Sequence, residues 1–452
     1  MRISVIGYIF GGITLILTFL AGNTFVNAVG LSLVALALSD FLYKLGRSFP
    51  LLELIFTIAV LQLILGAYFA YRLPGTFVTY RMYVPEPEYM NLAVPAFCLF
   101  LLGIMLVKIP ENPLLLKQRI TQFVGQNPLV GIHLLLFGGL AIIISPFIPA
   151  NFAFIFYLAT NFIYIGGILF YFKPNQKNRL LILIALGAYA FIQSTRQGLF
   201  HDFFLWLVLS SSVILIGTNI KEWVKQLLFI SGVLFIIVLQ NVKQEFRESI
   251  SSDLAAVDRL ALLINLGTKS LSPNSSSWDK KNLAFLNSRL NQGWITSAIM
   301  YNVPTYVPFQ NGETILESFQ NALLPRFIYP NKKKAGGREG FRLYTGLYIN
   351  DGTSMGIGLL GEAYINYGQF AGVFLLLWGA LLGLVNRILL GLAYKVNVLF
   401  FFMIPLIFLQ VVKAETDMIT LVNHLVKASL FVFLLYFFWL NRYKDPAVSV
   451  SV

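Results

Sequence analysis

Residues 417–440 read DMITLVNHLVKASLFVFLLYFFWL, a run that begins with polar side chains and ends in an almost unbroken apolar stretch. A helix of about 20 apolar residues covers the hydrocarbon core of a bilayer. Similar apolar blocks recur along the chain, separated by short polar breaks. This pattern predicts an all-α polytopic membrane protein.

The composition points to the same class. Of the 452 residues, 57% are hydrophobic and only 12% are charged, and the mean hydropathy is +0.75. A soluble domain usually has about a quarter of its residues charged, so a water-soluble fold is excluded. The single cysteine, Cys98, lies inside an apolar block, which excludes a disulfide framework and argues against a thiol catalyst.

We predict twelve transmembrane helices, with both termini in the cytoplasm. The predicted spans lie near residues 3–21, 24–43, 51–72, 91–108, 129–148, 150–172, 179–195, 199–217, 223–241, 370–390, 396–412 and 417–440. Short loops on the outer side then hold only Arg72, Arg81, Arg196 and Lys413, against fifteen basic residues on the cytoplasmic side. This asymmetry follows the positive-inside rule. It also explains the net charge of +13 without a nucleic-acid partner.

Residues 242–354 form one large extracytoplasmic loop in this topology, within a single membrane domain that spans residues 1–452. Long loops translocate regardless of their charge. An apolar face with helical spacing predicts an amphipathic helix from Val242 to Leu266, and a second helix is predicted from Leu283 to Tyr301. We expect this loop to cap the helix bundle.

The last predicted span carries polar side chains on one helical face. They are Lys413, Asp417, Thr420, His424 and Lys427. Val422 lies opposite His424, so we expect it to face lipid. Charged groups within a membrane usually face the bundle interior or a water-filled cavity.

Two other regions repeat this polar pattern. Glu362, Asn366 and Gln369 share a helical face before the tenth span, and His201 and Asp202 lie with Gln193 and Arg196 at the junction of the seventh and eighth spans. Together with the last span, these regions predict one outward-facing cavity. The alternative is a charge cluster that holds helices together, for example a pair of Asp417 with Lys413.

Three segments resemble a known family, the O-antigen or oligosaccharide repeat-unit polymerases of the Wzy type. The segments are STRQG at 194–198, LPRFIYPNK at 324–332 and GEAYINYG at 361–368, followed by Gly372. The first resembles the family's Ser-Arg-Gly pattern, with Gln197 interposed before the glycine. They occur in order around the predicted outer loop.

The resemblance implies a membrane glycosyltransferase in the bacterial cytoplasmic (inner) membrane, which joins oligosaccharide units linked to undecaprenyl pyrophosphate. Donor and acceptor are then both lipid-linked oligosaccharides, and a chain-length regulator is an open further partner. Arginine forms bidentate hydrogen bonds with phosphate oxygens. Arg196, Arg326 and Arg342 are therefore the first candidates for pyrophosphate binding, with Arg289 after them.

An acceptor hydroxyl loses its proton as it attacks, so a carboxylate or histidine is expected nearby. Glu362, His201 and His424 are the candidates for this general base. Tyr364 and Asn366 are candidates for sugar binding, because tyrosine can stack on a sugar face while its hydroxyl forms hydrogen bonds. Asp417 and Lys427 are candidates for contacts with the acceptor sugar or the lipid pyrophosphate. An interfacial aromatic belt is the alternative explanation for the tyrosines.

No metal ion and no cofactor are expected. Glu86 and Glu88 form the only close acidic pair in a predicted outer loop, without a histidine or cysteine beside them. A ligase that moves a finished glycan onto another acceptor has the same donor and chemistry, so it stays open as an alternative function. A flippase or transporter for the lipid-linked glycan is a further alternative, although no internal repeat is visible.

Overall fold

The computed structural model describes residues 2–73, 80–110, 112–197, 201–249, 265, 280–324, 332, 337–350 and 355–445. Within these ranges the chain folds into helices joined by short connections, with no β-strand. The helices of the first half are α1 (Val5–Leu20), α2 (Phe25–Lys44), α3 (Leu51–Val60), α4 (Gly66–Ala70), α5 (Glu86–Leu106), α6 (Pro113–Gln126), α7 (Val130–Ile144), α8 (Ala153–Thr160), α9 (Phe162–Tyr171), α10 (Arg179–Gln197), α11 (His201–Ile214) and α12 (Glu222–Ser249). The helices of the second half are α13 (Lys280–Leu290), α14 (Gly293–Asn302), α15 (Glu313–Leu323), α16 (Arg338–Thr345), α17 (Gly358–Tyr367), α18 (Ala371–Lys395), α19 (Leu399–Phe408) and α20 (Met418–Phe438).

Seven helical segments of the described chain are long and apolar enough to cross a membrane. They are Phe25–Lys44, Leu51–Ala70, Glu86–Leu106, Val130–Phe147, Ala153–Tyr171, Gly358–Lys395 and Met418–Phe438. Four shorter apolar helices accompany them, namely Val5–Leu20, Arg179–Ser194, His201–Ile214 and Leu399–Phe408. The predicted all-α fold class is confirmed.

Small residues allow some of these helices to pack closely. A Cβ atom on Gly103 of α5 would lie 2.0 Å from the carbonyl oxygen of Leu376 in α18, and one on Gly379 would lie 2.6 Å from a carbonyl oxygen of α5. A Cβ atom on Gly131 of α7 would lie 2.9 Å from the carbonyl oxygen of Gly166 in α9. Such contacts are typical of membrane bundles, where van der Waals packing drives helix association.

A π-helical turn, Leu61–Leu65, joins α3 to α4, and backbone carbonyl groups of this turn and of the first residue of α4 accept hydrogen bonds from residues 287–292. The N–H of Gln292 donates to the carbonyl oxygen of Gln62 at 3.1 Å, and Asn287 Nδ2 donates to that of Gly66 at 3.0 Å. π turns interrupt the regular helical hydrogen bonding and are often found at functional positions. Here the turn anchors residues 287–292 to the bundle.

The prediction of one helix from Leu283 to Tyr301 is wrong, because the chain breaks between α13 and α14. Asn291 Oδ1 accepts a hydrogen bond from the N–H of Gly293 at 2.8 Å. A side chain that bonds to nearby backbone in this way competes with the helical hydrogen bonds. A Cβ atom on Gly66 would lie 2.7 Å from the Cα of Asn291, so the break packs directly against α4.

The ninth predicted span and the first residues of the predicted amphipathic helix belong to one continuous helix. Helix α12 continues from Glu222 to Ser249 without interruption. Residues 236–249 contain no glycine or proline, so no helix-breaking residue ends the helix at 242. The rest of the predicted amphipathic helix, apart from Asn265, lies outside the described residues.

Arg119 of α6 fastens the residues that follow α20 to the bundle. Its Nη2 donates to Asp445 Oδ2 at 2.5 Å, and its Nη1 donates to the carbonyl oxygen of Ala393 at 3.0 Å and to that of Tyr394. Asp445 Oδ2 also accepts from the N–H of Val398 at 2.7 Å. One buried ion pair therefore joins α6, the end of α18, the start of α19 and the C-terminal residues.

Candidate functional site

The segment 409–417, between α19 and α20, carries the first group of candidate side chains and is not helical. Asp417 is the N-cap of α20, and its Oδ1 accepts from the N–H of Thr420 at 3.1 Å. Lys413 Nζ donates instead to Asp202 Oδ1 at 2.6 Å. The pair of Lys413 with Asp417, considered above as part of the alternative explanation, does not form. The inclusion of Lys413 in a helical stripe is wrong, because helical periodicity starts only at Met418.

His201 lies at the same corner of the fold. Its Nε2 is 3.6 Å from Glu415 Oε1, and both side chains are partly exposed. This contact and the pair of Lys413 with Asp202 join the first turn of α11 to the segment before α20. The fold thus brings together two of the three polar regions that the sequence singles out.

His424 lies inside the bundle, with 2% of its surface exposed. Its Nε2 is 2.8 Å from the carbonyl oxygen of Leu406 near the end of α19. Because a carbonyl oxygen only accepts hydrogen bonds, Nε2 carries a proton and, in the neutral ring, Nδ1 is an acceptor. Nδ1 has no hydrogen-bond partner among the described residues, and the rings of Phe154 and Tyr157 pack against the imidazole in T-shaped arrangements.

The exposure of Lys427 and that of Val422 are the reverse of what an exposed Val422 on the lipid side would require. Lys427 is exposed, and its Nζ lies 5.8 Å from the centre of the Phe154 ring. Val422 is only 1% exposed, so its predicted position facing lipid is wrong. Helix α20 packs against neighbours on the side of Val422 as well as on the side of His424. Leu430, which is 56% exposed, is one of several apolar residues of this helix that face outward.

Glu362 and Asn366 lie one turn apart on α17 and are both buried. Thr314, at the start of α15, donates its hydroxyl hydrogen to Glu362 Oε1 at 2.5 Å. Asn366 Nδ2 donates to Thr314 Oγ1 at 2.7 Å and to the carbonyl oxygen of Glu362 at 2.9 Å. Asn366 Oδ1 accepts from the N–H of Gly312 at 2.9 Å. These hydrogen bonds join α15 to α17 around one buried carboxylate.

The described tyrosines between residues 301 and 364 fall into two groups. Tyr364 is buried, its ring packs on Phe309, and its hydroxyl is 3.4 Å from the carbonyl oxygen of Val303. Tyr344 is also buried, and burial together with the negative charges of Glu362, Glu317 and Glu313 raises its pKa to about 12. Three other tyrosines are largely exposed, namely Tyr301, Tyr306 and Tyr348. The exposed group is the better placed of the two for stacking on a ligand.

Two of the four candidate arginines have described side chains. Arg342 Nη2 donates to the carbonyl oxygen of Ile349, and its guanidinium carbon lies 4.7 Å from the centre of the Tyr348 ring. The guanidinium carbon of Arg289 lies 5.9 Å from the centre of the Tyr80 ring. The side chain of Arg196 and the whole of Arg326 lie outside the described part of the chain. The described residues contain no group of three or more side chains that could hold a metal ion.

One family model, described as a domain of unknown function (DUF8712), matches residues 89–441. The chain belongs to this family. No curated protein and no solved structure gives a significant match. The DUF8712 region begins in α5 and ends just after α20, so it contains every candidate residue named above and leaves α1–α4 outside.

Thr314 and Glu415 contribute to the site within the DUF8712 region but were not singled out from the sequence. Thr314 reaches Glu362 from a position 48 residues away in sequence. A threonine in the first turn of a helix is common, and nothing in its own segment indicates such a distant partner. Glu415 lies two residues from Asp417, so treating the polar segment before α20 as a whole would have included it.

Proposed function

We propose that this chain is a polysaccharide repeat-unit polymerase, a glycosyltransferase that joins oligosaccharide units carried on undecaprenyl pyrophosphate. The proposal places it in the bacterial cytoplasmic membrane with twelve spans, both termini in the cytoplasm and residues 242–354 on the outer face. The basis for this topology is the asymmetry of basic residues between the two sides. Transfer would then take place on the outer face.

The observation that carries the proposal is the buried carboxylate of Glu362. It lies in the segment GEAYINYG that resembles the polymerase family, is only 4% exposed, and is held by Thr314 from another helix. Burying a carboxylate costs free energy unless hydrogen bonds compensate. A carboxylate kept in such a place is often functional, although helix packing alone can also retain one.

In the proposed reaction, a hydroxyl group of the acceptor sugar attacks the anomeric carbon of the donor. The bond between that carbon and the pyrophosphate oxygen breaks, and undecaprenyl pyrophosphate leaves with the bonding electrons. Glu362 takes the hydroxyl proton as general base. His201 and His424 are the alternative bases; His424 would act through Nδ1, because its Nε2 carries the proton that is donated to the carbonyl oxygen of Leu406.

Negative charge develops on the departing pyrophosphate, so cationic side chains are expected to bind it. Arg196, Arg326, Arg342 and Arg289 have this role in the proposal, since arginine offers a planar, permanently charged fork of donors. Replacing Arg196, Arg326 or Arg342 by lysine keeps the charge but removes the fork. Each replacement should therefore reduce polymer length at an unchanged membrane level of the protein. Normal chain lengths in all three variants would remove the pyrophosphate role.

Deletion of the gene tests the function directly, through the lipid-linked glycans that accumulate. A polymerase predicts single repeat units on undecaprenyl pyrophosphate outside the cell. A ligase predicts finished polymers on the lipid, and a flippase predicts units trapped inside. Either of the last two results would replace the proposed function by that alternative.

Complementation with Glu362→Gln tests the residue that carries the proposal. Loss of a general base typically lowers the rate by about a hundredfold or more, so polymer should be nearly absent. Glu313→Gln is the matched control, because Glu313 is an exposed carboxylate of the neighbouring helix. Equal polymer formation by the two variants would exclude Glu362 as the base.

Reporter fusions at Asn274 and Asn331 test the topology. Both positions should give active extracytoplasmic reporters and inactive cytoplasmic ones. The reverse result would overturn the placement of residues 242–354 on the outer face.

Thiol labelling tests the proposed water-filled cavity along α20. Single cysteines at Thr420 and Lys427 in a Cys98→Ser background should react with a charged, membrane-impermeant reagent added from outside. Leu430 replaces Val422 as the lipid-facing control, because Val422 is buried. If the cysteine at 430 reacts as fast as those at 420 and 427, no cavity distinguishes this face.

A further inference from the structure

The hydrogen bonds around Glu362 have a direction that the chemistry of their donors fixes. The backbone N–H of Gly312 can only donate, and it donates to the side chain of Asn366. The atom of Asn366 that it meets must therefore be the oxygen, which leaves the amide nitrogen on the other side. That nitrogen can only donate, so the orientation of Asn366 is determined by the backbone of the residues that precede α15.

Thr314 is the next group in the same series. Its oxygen accepts the hydrogen bond from Asn366 Nδ2 at 2.7 Å, so the single hydroxyl hydrogen is available for another partner. Glu362 Oε1 lies 2.5 Å away and receives it. The series Gly312, Asn366, Thr314, Glu362 therefore delivers a hydrogen-bond donor to one chosen carboxylate oxygen.

Hydrogen bonds to backbone carbonyl groups keep both ends of this series in place. The N–H of Gln310 donates to the carbonyl oxygen of Ile365 at 2.9 Å, which binds the residues before α15 to α17. Asn366 Nδ2 also donates to the carbonyl oxygen of Glu362, which ties the amide to its own helix. Thr314 is thus kept near Glu362 by contacts on both sides of it.

We propose that Thr314 is a positioning residue for Glu362, and that Asn366 orients Thr314 for this task. The inference rests on the proposed function, in which Glu362 accepts the proton of the acceptor hydroxyl. A donor directed at Oε1 orients the carboxylate group and stabilises it as a hydrogen-bond acceptor. Thr314 itself does not contact the reacting atoms.

The test compares two replacements of Thr314 that differ in the hydroxyl group. Thr314→Val keeps the branched shape and removes the hydroxyl, whereas Thr314→Ser keeps the hydroxyl. Purified full-length protein in lipid vesicles is supplied with a repeat unit linked to undecaprenyl pyrophosphate, and rates are normalised to folded protein. We expect Thr314→Val to lower kcat by about tenfold or more with KM within about twofold, and Thr314→Ser to stay within about threefold of wild type.

Two controls separate positioning from a structural role. Thr345→Val removes another buried threonine hydroxyl, which bonds only to nearby backbone groups, and should leave kcat per folded molecule unchanged. In a Glu362→Gln background, Thr314→Val should cause no further loss, because two residues that act through one group are not additive. A purely structural threonine would lower the yield of folded protein, not the rate per folded molecule.

The outcomes distinguish this inference from the proposed function. A wild-type protein without transferase activity overturns the function and the role of Thr314 with it. An active wild type with an equally active Thr314→Val variant overturns the role of Thr314 alone. So does a Thr314→Ser variant as slow as Thr314→Val, because the hydroxyl group would then not be what matters.

Discussion

The buried pair of Arg119 and Asp445 allows a quantitative prediction for Asp445→Asn. Both side chains are almost completely buried, at 5% and 4% exposure. The asparagine can still accept from the N–H of Val398, so the replacement removes mainly the negative charge. It leaves the buried charge of the Arg119 guanidinium without a carboxylate, facing only neutral acceptors such as the backbone carbonyl groups of Ala393 and Tyr394.

Removing one member of a buried ion pair typically costs about 3–5 kcal/mol, because the remaining charge is desolvated without compensation. The two carbonyl groups that Arg119 retains place the expected loss near the lower end, at about 3 kcal/mol. Replacing both residues by apolar ones of similar volume removes the buried charge altogether. The double variant Arg119→Leu, Asp445→Leu should therefore be more stable than Asp445→Asn alone, which is the signature of an uncompensated charge.

Denaturant unfolding of the purified protein in detergent micelles, followed by tryptophan fluorescence, measures this difference. Lys444→Gln is the matched control, because Lys444 is the adjacent residue and is exposed. It should change the free energy of unfolding by less than about 0.5 kcal/mol. A loss of the same small size for Asp445→Asn would refute the argument, as would a double variant less stable than the single one.

Three further predictions concern packing, ionisation and helix capping. Gly103→Ala places a Cβ atom against the carbonyl oxygen of Leu376 and should destabilise the protein by about 1–3 kcal/mol or more in the same unfolding assay. The control Gly139→Ala places a Cβ atom with no other atom within 4 Å, and should be neutral or stabilising by up to about 1 kcal/mol. Because the pKa of Tyr344 is raised to about 12 in the folded state, the free energy of unfolding should fall as the pH rises from about 10 to about 12, by about 1.4 kcal/mol per pH unit. Tyr344→Phe should lack this part of the pH dependence. Asp417→Ala removes the N-cap of α20 and should lower the free energy of unfolding by about 1 kcal/mol, whereas Asp417→Asn keeps an acceptor for the N–H of Thr420 and should lower it much less. Equal losses for the two variants would show that the charge of Asp417 matters more than the cap.

The sequence alone predicted the helical segments well where hydrophobicity decides the structure. Each predicted span contains a helix, and α20 begins one residue after the predicted start. The main error lies where a polar side chain determines the end of a helix. The break at Asn291 depends on a hydrogen bond to Gly293 and on contact with a helix more than two hundred residues earlier. Helix α12 continues past residue 241 because no helix-breaking residue lies near residue 242.

The candidate site could be predicted only in part, for a similar reason. Periodicity correctly placed Glu362 and Asn366 on one face of a helix, because both lie within α17. Gln369, which was grouped with them, lies in the 3₁₀ turn that follows. It wrongly extended helical geometry back to Lys413, because a sequence window does not show that the helix starts at the cap residue Asp417. The partners of these groups, Thr314 and Asp202, lie far away in sequence and follow from the packing of whole helices. Spacing within one segment carries no information about such contacts.

The start of α17 connects the two polar groups of the site through backbone contacts. Gly358 has a φ of +69°, a conformation that glycine adopts without strain, and a Cβ atom there would lie 3.2 Å from the carbonyl oxygen of Ala414. The N–H of Leu359 donates to that same carbonyl oxygen at 3.2 Å. Glu362 follows one turn later on the same helix, and a helical turn moves as a unit. A shift of the segment 409–417, which contains Lys413, would therefore also shift Glu362. The two are connected through the backbone of α17, without direct contact between the side chains of Lys413 and Glu362.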